Sequence, residues 1–135
     1  MGYYANGEGI LDLVNEADWT ERQKKERKLR IAATDVKADV KSRLSVHLTL
    51  DNILAEFLPC YSPFPEYYRD HTVVSVYQYD KYYEDDWKEF LSVIAPVALK
   101  DSQIEFVGED SQMWRFICLK DGNGFVDQQG HVVYE

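Results

Sequence analysis

Residues that break helices are distributed unevenly along this chain, and their positions divide its 135 residues into two unlike parts. Neither glycine nor proline occurs between Ile10 and Leu58, whereas three of the four prolines lie within residues 59–65 and four of the seven glycines lie after residue 107. Glycine and proline disfavour helices and favour turns. The first part can therefore form uninterrupted helices, and the second part is suited to short strands joined by turns.

The N-terminal part is predicted to be helical after a short leader. Residues 1–9 contain three glycines and one asparagine, and we expect them to form a flexible leader. Residues 10–17 are predicted to form a short helix, and residues 19–45 a longer helix whose start Asp18 or Thr20 can cap. Apolar residues recur in the longer helix at intervals of three or four, which predicts a buried stripe made of Leu29, Ala33, Val36, Val40 and Leu44.

Residues 46–50 carry a pattern with two interpretations. Their alternating polarity is typical of a strand, but Leu50, Ile53 and Leu54 continue the spacing of a helix. We predict a break near residues 46–50, followed by a short helix that Thr49 or Asp51 caps and that ends before Pro59. A strand at residues 46–50 stays open as the alternative.

The C-terminal part is predicted to contain one helix and several strands. Residues 72–79 are rich in β-branched and aromatic side chains, which indicates a strand. Asp85 or Asp86 can cap the following helix, and Pro96 should weaken its last turn. Glycine, aspartate and asparagine then mark turns between three further predicted strands, namely residues 103–107, 113–119 and 125–126, with residues 131–134 as an extension.

These elements predict an α+β fold in which N-terminal helices pack with a mostly antiparallel sheet. The predicted order is helices, strand, helix and a C-terminal meander of three or four strands. Residues 10–135 are expected to form a single domain, with residues 10–58 as its helical part and residues 72–135 as its β-rich part. A chain of this length can bury about two thirds of its surface, which is enough for a core without disulfides.

Charge is also divided between segments. Residues 20–45 carry nine basic and four acidic groups, a net charge of +5, whereas the remainder carries six basic and twenty acidic groups, a net charge of −14. A basic helix suggests contact with nucleic acid, but the acidic remainder would repel it. Docking of this helix on the acidic part, within one chain or between two, uses both charges, and the helix also suggests a homo-oligomer.

The sequence contains no motif that predicts catalysis or a cofactor. The metalloprotease, phosphate-loop, nucleophile-elbow, dinucleotide-binding and CxxC patterns are all absent. We therefore expect no cofactor and lean against an enzyme. Cys60 and Cys118 are expected to be reduced thiols. With no long apolar run and no signal-peptide pattern, no membrane contact and a cytoplasmic location are expected.

Tyrosine and carboxylate side chains are concentrated in one segment. Seven of the ten tyrosines lie within residues 61–86, where acidic residues outnumber basic ones. Tyrosine offers a rigid contact area with a polar tip and is enriched in protein-binding hot spots. The segment therefore predicts an acidic, tyrosine-rich surface for a partner protein, formed by Tyr67, Tyr68, Asp80, Tyr82, Tyr83, Glu84, Asp85 and Asp86.

Two stretches resemble small uncharacterised proteins of bacterial mobile genetic elements. They are EYYRDHTVVSVYQYDKYYEDDW, residues 66–87, and QIEFVGEDSQMWRF, residues 103–116. The resemblance implies an accessory or host-modulating role and assigns no catalytic or binding residue.

The leading functional hypothesis is a non-enzymatic accessory module that binds another protein, with a basic surface as the preferred partner. One alternative is a nucleic-acid mimic that inhibits a DNA-binding host protein through its carboxylates. Another is a small metal-dependent hydrolase that uses scattered carboxylates and His71. Direct nucleic-acid binding by the N-terminal helix is the least favoured hypothesis.

Overall fold

A six-stranded antiparallel sheet forms the centre of the computed structural model, which describes residues 3–35, 37–46, 49–59, 65–79 and 81–130. The strands lie in the order β2-β3-β1-β4-β5-β6, so the N-terminal strand β1 is central, between β3 and β4. The strands are β1 (Ala5–Leu13), β2 (Glu66–Tyr67), β3 (Thr72–Gln78), β4 (Gln103–Gly108), β5 (Met113–Cys118) and β6 (Phe125–Gly130).

Four α-helices are interspersed with these strands in the described part of the chain. Between β1 and β2 lie α1 (Glu21–Ala32), α2 (Ala38–Val46) and α3 (Leu50–Phe57), and between β3 and β4 lies α4 (Glu84–Ile94). None of these helices is long and apolar enough to cross a membrane. The predicted α+β class is confirmed, but the helices are interspersed with the strands and the sheet is larger than the predicted meander.

The core lies between the helices and one face of the sheet. Alternate residues of a strand point to opposite faces, and in β1 Leu11 and Leu13 are fully buried while Ile10 is exposed. The helices contribute apolar side chains such as Trp87 and Phe90 to the same core cluster. The fold is therefore two-layered, with the helices on one side of the sheet.

The predicted leader and first helix are wrong, because Ala5–Leu13 is the central strand β1. Its inward positions include Gly7 and Gly9, so the alternation of apolar and polar residues is hidden in the sequence. The glycines are required by close packing: a Cβ on Gly7 would lie 2.5 Å from the Phe106 ring, and a Cβ on Gly9 would lie 2.0 Å from the Gln103 carbonyl oxygen.

The single helix predicted for residues 19–45 is also wrong. Helix α1 begins after Thr20, whose side chain forms a capping box with Gln23, but it ends at Ala32. The Thr34 hydroxyl donates to the Ile31 carbonyl at 2.6 Å, which satisfies a terminal carbonyl of the helix. The predicted stripe fails in α1 too, because Leu29 is exposed and Ile31 faces the core.

Other predicted elements are confirmed. Helix α3 begins after Thr49, whose side chain accepts from Asn52 N, so this short helix follows a break as expected. Helix α4 ends at Ile94 and a 3-10 turn containing Pro96 follows it. Strands β3, β4 and β5 lie where predicted, whereas β6 continues to Gly130, beyond its predicted end at residue 126. The predicted extension at residues 131–134 lies outside the described residues.

Candidate functional site

The described helices leave the face of the sheet opposite the core uncovered. We call it the open face, and its side chains come from the alternate positions of β1, β3 and β4 that do not enter the core. The cross-strand register aligns these positions in rows: Ile10 of β1 lies between Ser75 of β3 and Gln103 of β4. An exposed sheet face is rigid, because main-chain hydrogen bonds fix each strand on both sides.

A shallow concavity of about 570 Å³ occupies the middle of the open face. It spans the three central strands, and its volume lies within the range of protein binding sites. Its lining combines carboxylates with a few apolar and aromatic groups, namely Glu8, Gly9, Ile10, Asp12, Ser75, Tyr77, Asp101, Gln103 and Glu105. We call this site the acidic concavity.

The carboxylates of the acidic concavity are poorly compensated. Glu8 and Glu105 are direct cross-strand partners, and like charges placed directly opposite destabilise a sheet. Arg115 lies 4.0 Å from the Glu105 carboxylate, but its nitrogens also donate to Gln128 at 2.8 Å and to Gln103 at 3.3 Å. Within the described residues, Glu8 forms no ion pair, so a partner cation would relieve its repulsion from Glu105.

Apolar and aromatic side chains lie among these carboxylates. Ile10 is 54% exposed at the centre of the concavity. The Tyr77 and Tyr79 rings stack with their centroids 5.9 Å apart and an angle of 16° between their planes, and Tyr79 is 70% exposed. Flat aromatic faces attract cations as well as apolar groups. The open face therefore offers apolar and aromatic contact area within a negative field.

The predicted tyrosines of β2 lie at the edge of the sheet. The Tyr67 hydroxyl donates to Asp51 Oδ1 at 3.0 Å. Partial desolvation is the main cause that raises the pKa of Tyr67, and the Asp51 carboxylate is the second. The Tyr68 hydroxyl donates to Glu66 Oε2 at 2.8 Å, which raises the pKa of Tyr68, and its ring stacks on His71. Both side chains are exposed, but their polar tips are already hydrogen-bonded within the chain.

The predicted residues after β3 divide into two groups. Tyr83 is 56% exposed, and Glu84, Asp85 and Asp86 form the acidic first turn of α4, where carboxylates favour the helix dipole. Tyr82 instead packs edge-on against Phe106 and Trp114. Asp80 lies outside the described residues.

The structure does not bring the predicted surface together as one patch. Tyr67 is paired with Thr72 at the start of β3, whereas Tyr83 follows the other end of that strand, which is about 20 Å away at the usual rise per residue. Sequence reasoning missed Glu8, Ile10 and Asp12, because they lie in the segment predicted as leader and helix. The alternation of ANGEGILDL was the signal that could have located them.

A second cleft, of about 320 Å³, lies between α4 and the last two strands. Arg30 and Lys88 lie on its helical wall, but Arg30 already donates to the Ser92 carbonyl at 3.1 Å and Lys88 lies 3.5 Å from Glu84. Asp127 on the other wall has the opposite sign. This cleft therefore lacks the uncompensated charge of the acidic concavity.

Groups that could support metal or thiol chemistry are not assembled in the described part of the chain. It contains no cluster of three or more histidine, cysteine, aspartate or glutamate side chains placed to hold a metal ion. His71 Nδ1 lies 2.6 Å from Asp70 Oδ1 at an exposed position and lines none of the cavities described above. Burial raises the pKa of the Cys118 thiol, which is typical of an unreactive core cysteine.

Comparison of the chain with protein-family models, with curated proteins and with solved structures finds no match in any of the three. Geometry and charge are therefore the evidence on which a function can be based.

Proposed function

We propose that this protein is a non-enzymatic binding module whose open face receives a basic, partly apolar surface of another protein. The observation that carries the proposal is Ile10, which is half exposed on the central strand and surrounded by the carboxylates of the acidic concavity. An apolar side chain among carboxylates is suited to contact with a surface that presents both apolar groups and cations.

The two kinds of side chain would have different roles in binding. Ile10, Tyr77 and Tyr79 supply area that a partner can remove from water, and this is the main source of affinity at protein interfaces. The carboxylates of Glu8 and Glu105 attract a basic partner from a distance and raise its association rate. Binding should therefore weaken as salt is added, because screening shortens the reach of these charges.

The tyrosine-rich segment contributes to this function at a different place from the one its sequence suggests. Tyr77 and Tyr79 lie on the open face, and Tyr79 extends the aromatic area beyond the end of β3. Tyr83 and the first turn of α4 remain as a separate acidic surface. The accessory role implied by the resemblance to mobile-element proteins is compatible with a binding module of this kind.

A cationic peptide of defined sequence can stand in for the partner in a test of the proposal. Lysine, arginine and leucine alternate in this peptide. It is titrated into isotope-labelled protein at about 0.15 M salt, and binding is followed by NMR spectroscopy. Chemical-shift changes should concentrate at β1, β3 and β4. Glu8→Lys should weaken binding by about tenfold, since it replaces an attraction with a repulsion.

Matched variants outside the open face provide the controls. Glu21→Lys changes the net charge by the same amount at an exposed position of the helical layer. Ile10→Ser should weaken binding, and Leu119→Ser is its control, since it removes an apolar side chain of similar exposure outside the concavity. The proposal requires the two control variants to bind like the unmodified protein. Equal weakening by Glu8→Lys and Glu21→Lys would show that the peptide responds only to net charge, and the proposal would be wrong.

A narrower form of the same function is mimicry of nucleic acid. The poorly compensated pair Glu8–Glu105 lies on the same face as the stacked rings of Tyr77 and Tyr79. It presents negative charge beside aromatic planes, as a nucleic-acid strand does. The protein should then release labelled duplex DNA from a DNA-binding basic peptide, and Glu8→Lys should abolish the release. Binding of the peptide without release of DNA would contradict mimicry and leave the binding module in place.

A further inference from the structure

The outward side of α1 carries the charge that complements the open face. Arg22, Lys25 and Lys28 are exposed, and their spacing of three residues places them along one side of the helix. Leu29 lies among them and is 60% exposed. We call Arg22, Lys25 and Lys28 the basic stripe.

The cations of the basic stripe are uncompensated in the described part of the chain. The acidic residues of α1 are used by other cations: Glu21 lies 3.4 Å from Lys24, and Glu26 lies 3.6 Å from Arg30. None of the three stripe side chains has an ion pair or hydrogen bond to a described residue. The stripe is thus the positive counterpart of the acidic concavity. An exposed leucine, Leu29, lies beside the stripe, and the exposed Ile10 lies in the concavity.

A single molecule cannot bring these two surfaces together. Helix α1 packs against α2 and α4 in the layer that covers the core side of the sheet, and its buried residues Arg27 and Ile31 lie on the side of the helix opposite the stripe. The acidic concavity lies on the other side of the sheet. Docking of the basic helix on the acidic part of its own chain would require the two layers to separate, so the occupant must be another molecule.

We propose that copies of this protein associate head to tail, with the basic stripe of one copy on the acidic concavity of the next. The dimensions are compatible: Arg22 to Lys28 spans about 9 Å along a helix, and Glu8 to Asp12 spans about 13 Å along a strand. Leu29 of one copy would cover Ile10 of the other. The inference uses the same acidic face as the proposed function, so a basic partner and a second copy compete for it.

This contact has a characteristic assembly behaviour. It joins two different surfaces, so an assembly of any length has a free stripe at one end and a free concavity at the other. Further copies can therefore add unless the assembly closes into a ring. The net charge of −9 opposes association, but at 0.15 M salt charges are screened over about 8 Å, so close complementary pairs outweigh the distant repulsion. Association is expected to be weak and to decline as salt is raised further.

Analytical ultracentrifugation of the full chain, at rising concentration and about 0.15 M salt, tests the proposal. The weight-average mass should rise with concentration. A helix variant, Arg22→Glu with Lys25→Glu and Lys28→Glu, and a sheet variant, Glu8→Lys with Glu105→Lys, should each lower the association constant by about a hundredfold. An equal mixture of the two should associate again, because the reversed helix meets the reversed sheet face. Circular dichroism of each variant verifies that it is folded.

Two results would overturn the inference. One is a mass equal to that of one chain at every concentration. The other is association that the sheet variant retains, which would indicate contact between two α1 helices. If the protein does not self-associate, the result of the peptide titration still decides the proposed function. If the protein self-associates but does not bind the peptide, only the proposed function is contradicted.

Discussion

The guanidinium carbon of Arg27 lies 3.8 Å from the centroid of the Trp19 ring, inside the protein. Arg27 is fully buried, and none of its three side-chain nitrogens has a hydrogen-bond partner among the described residues. Burial lowers the pKa of Arg27 to about 10, and the charge of Glu16 partly offsets this. The Glu16 carboxylate itself accepts from Leu50 N at 3.0 Å. The aromatic face is therefore the main compensation for a buried cation.

Replacement of Arg27 by methionine should leave the protein as stable as before or more stable. A buried cation without hydrogen bonds loses its hydration, and the contact with Trp19 returns only about 0.5–2 kcal/mol. Methionine fills a similar volume without that loss. We expect Arg27→Met to raise the free energy of unfolding by about 1 kcal/mol in urea denaturation.

Lys28→Met is the matched control for this change, because Lys28 is the exposed neighbour. It should alter stability by no more than about 0.5 kcal/mol. A loss of about 2 kcal/mol or more in Arg27→Met would contradict the prediction and would indicate that the guanidinium bonds to ordered water.

Replacement of Glu8 by glutamine should stabilise the fold while it weakens peptide binding. Glu8 on β1 lies directly opposite Glu105 on the adjacent strand β4. Removal of one like charge from such a pair stabilises the sheet by about 0.2–1 kcal/mol. In Glu8→Gln the temperature of thermal unfolding should therefore rise, while the affinity for the peptide should fall. Glu21→Gln, which loses an ion pair with Lys24 instead, should not stabilise the protein. Equal stability of Glu8→Gln and the unmodified chain would show that the two carboxylates do not repel each other.

The sequence predicted the elements whose signals are local and failed where packing decides. Thr49 caps α3 as predicted. Helix α4 also forms where predicted, but neither Asp85 nor Asp86 caps it: the N-cap residue is Tyr83, and both aspartates lie inside the first turn. In β1, by contrast, Gly7 and Gly9 are inward residues that carry no apolar signal, because Phe106 and the neighbouring strand fill the space of their side chains.

The candidate site was missed for a related reason. Whether a strand residue faces the core or the solvent depends on which strands pair with it and on which face the helices cover, and neither is encoded within ten residues of Glu8. The tyrosine-rich segment was recognised, but its division between two strands was not. Tyr77 lies on β3 opposite Glu8 of β1, whereas Tyr67 lies on the edge strand β2.

Replacement of Gly9 by alanine should severely destabilise the protein. The new Cβ would lie 2.0 Å from the Gln103 carbonyl oxygen and 2.5 Å from the Ile104 Cα, and backbone atoms in the middle of a sheet cannot move aside cheaply. We expect a loss of about 3 kcal/mol in the free energy of unfolding. Gly130→Ala at the edge strand is the control, because its Cβ would meet the Met113 side chain at 3.0 Å. If Gly9→Ala were no more destabilising than Gly130→Ala, β1 and β4 could not lie as close together at Gly9 as the structure places them.

Stability at alkaline pH should depend on Tyr82. Burial raises the pKa of Tyr82 to about 12, although the bond from Trp114 Nε1, 3.2 Å from the phenol oxygen, acts in the opposite direction. The unfolded chain releases this proton near pH 10 and the folded chain does not, so deprotonation stabilises the unfolded state and the stability of the fold declines between pH 10 and 12. Below pH 10 both states keep the proton, and Tyr82 contributes no pH dependence.

Tyr82→Phe should therefore flatten the decline, between pH 10 and 12, of the free energy of unfolding measured in urea, whereas Tyr79→Phe, at an exposed tyrosine, should not. Parallel curves for Tyr82→Phe and the unmodified protein would show that the phenol reaches water and that its burial beneath Trp114 and Phe106 is incorrect.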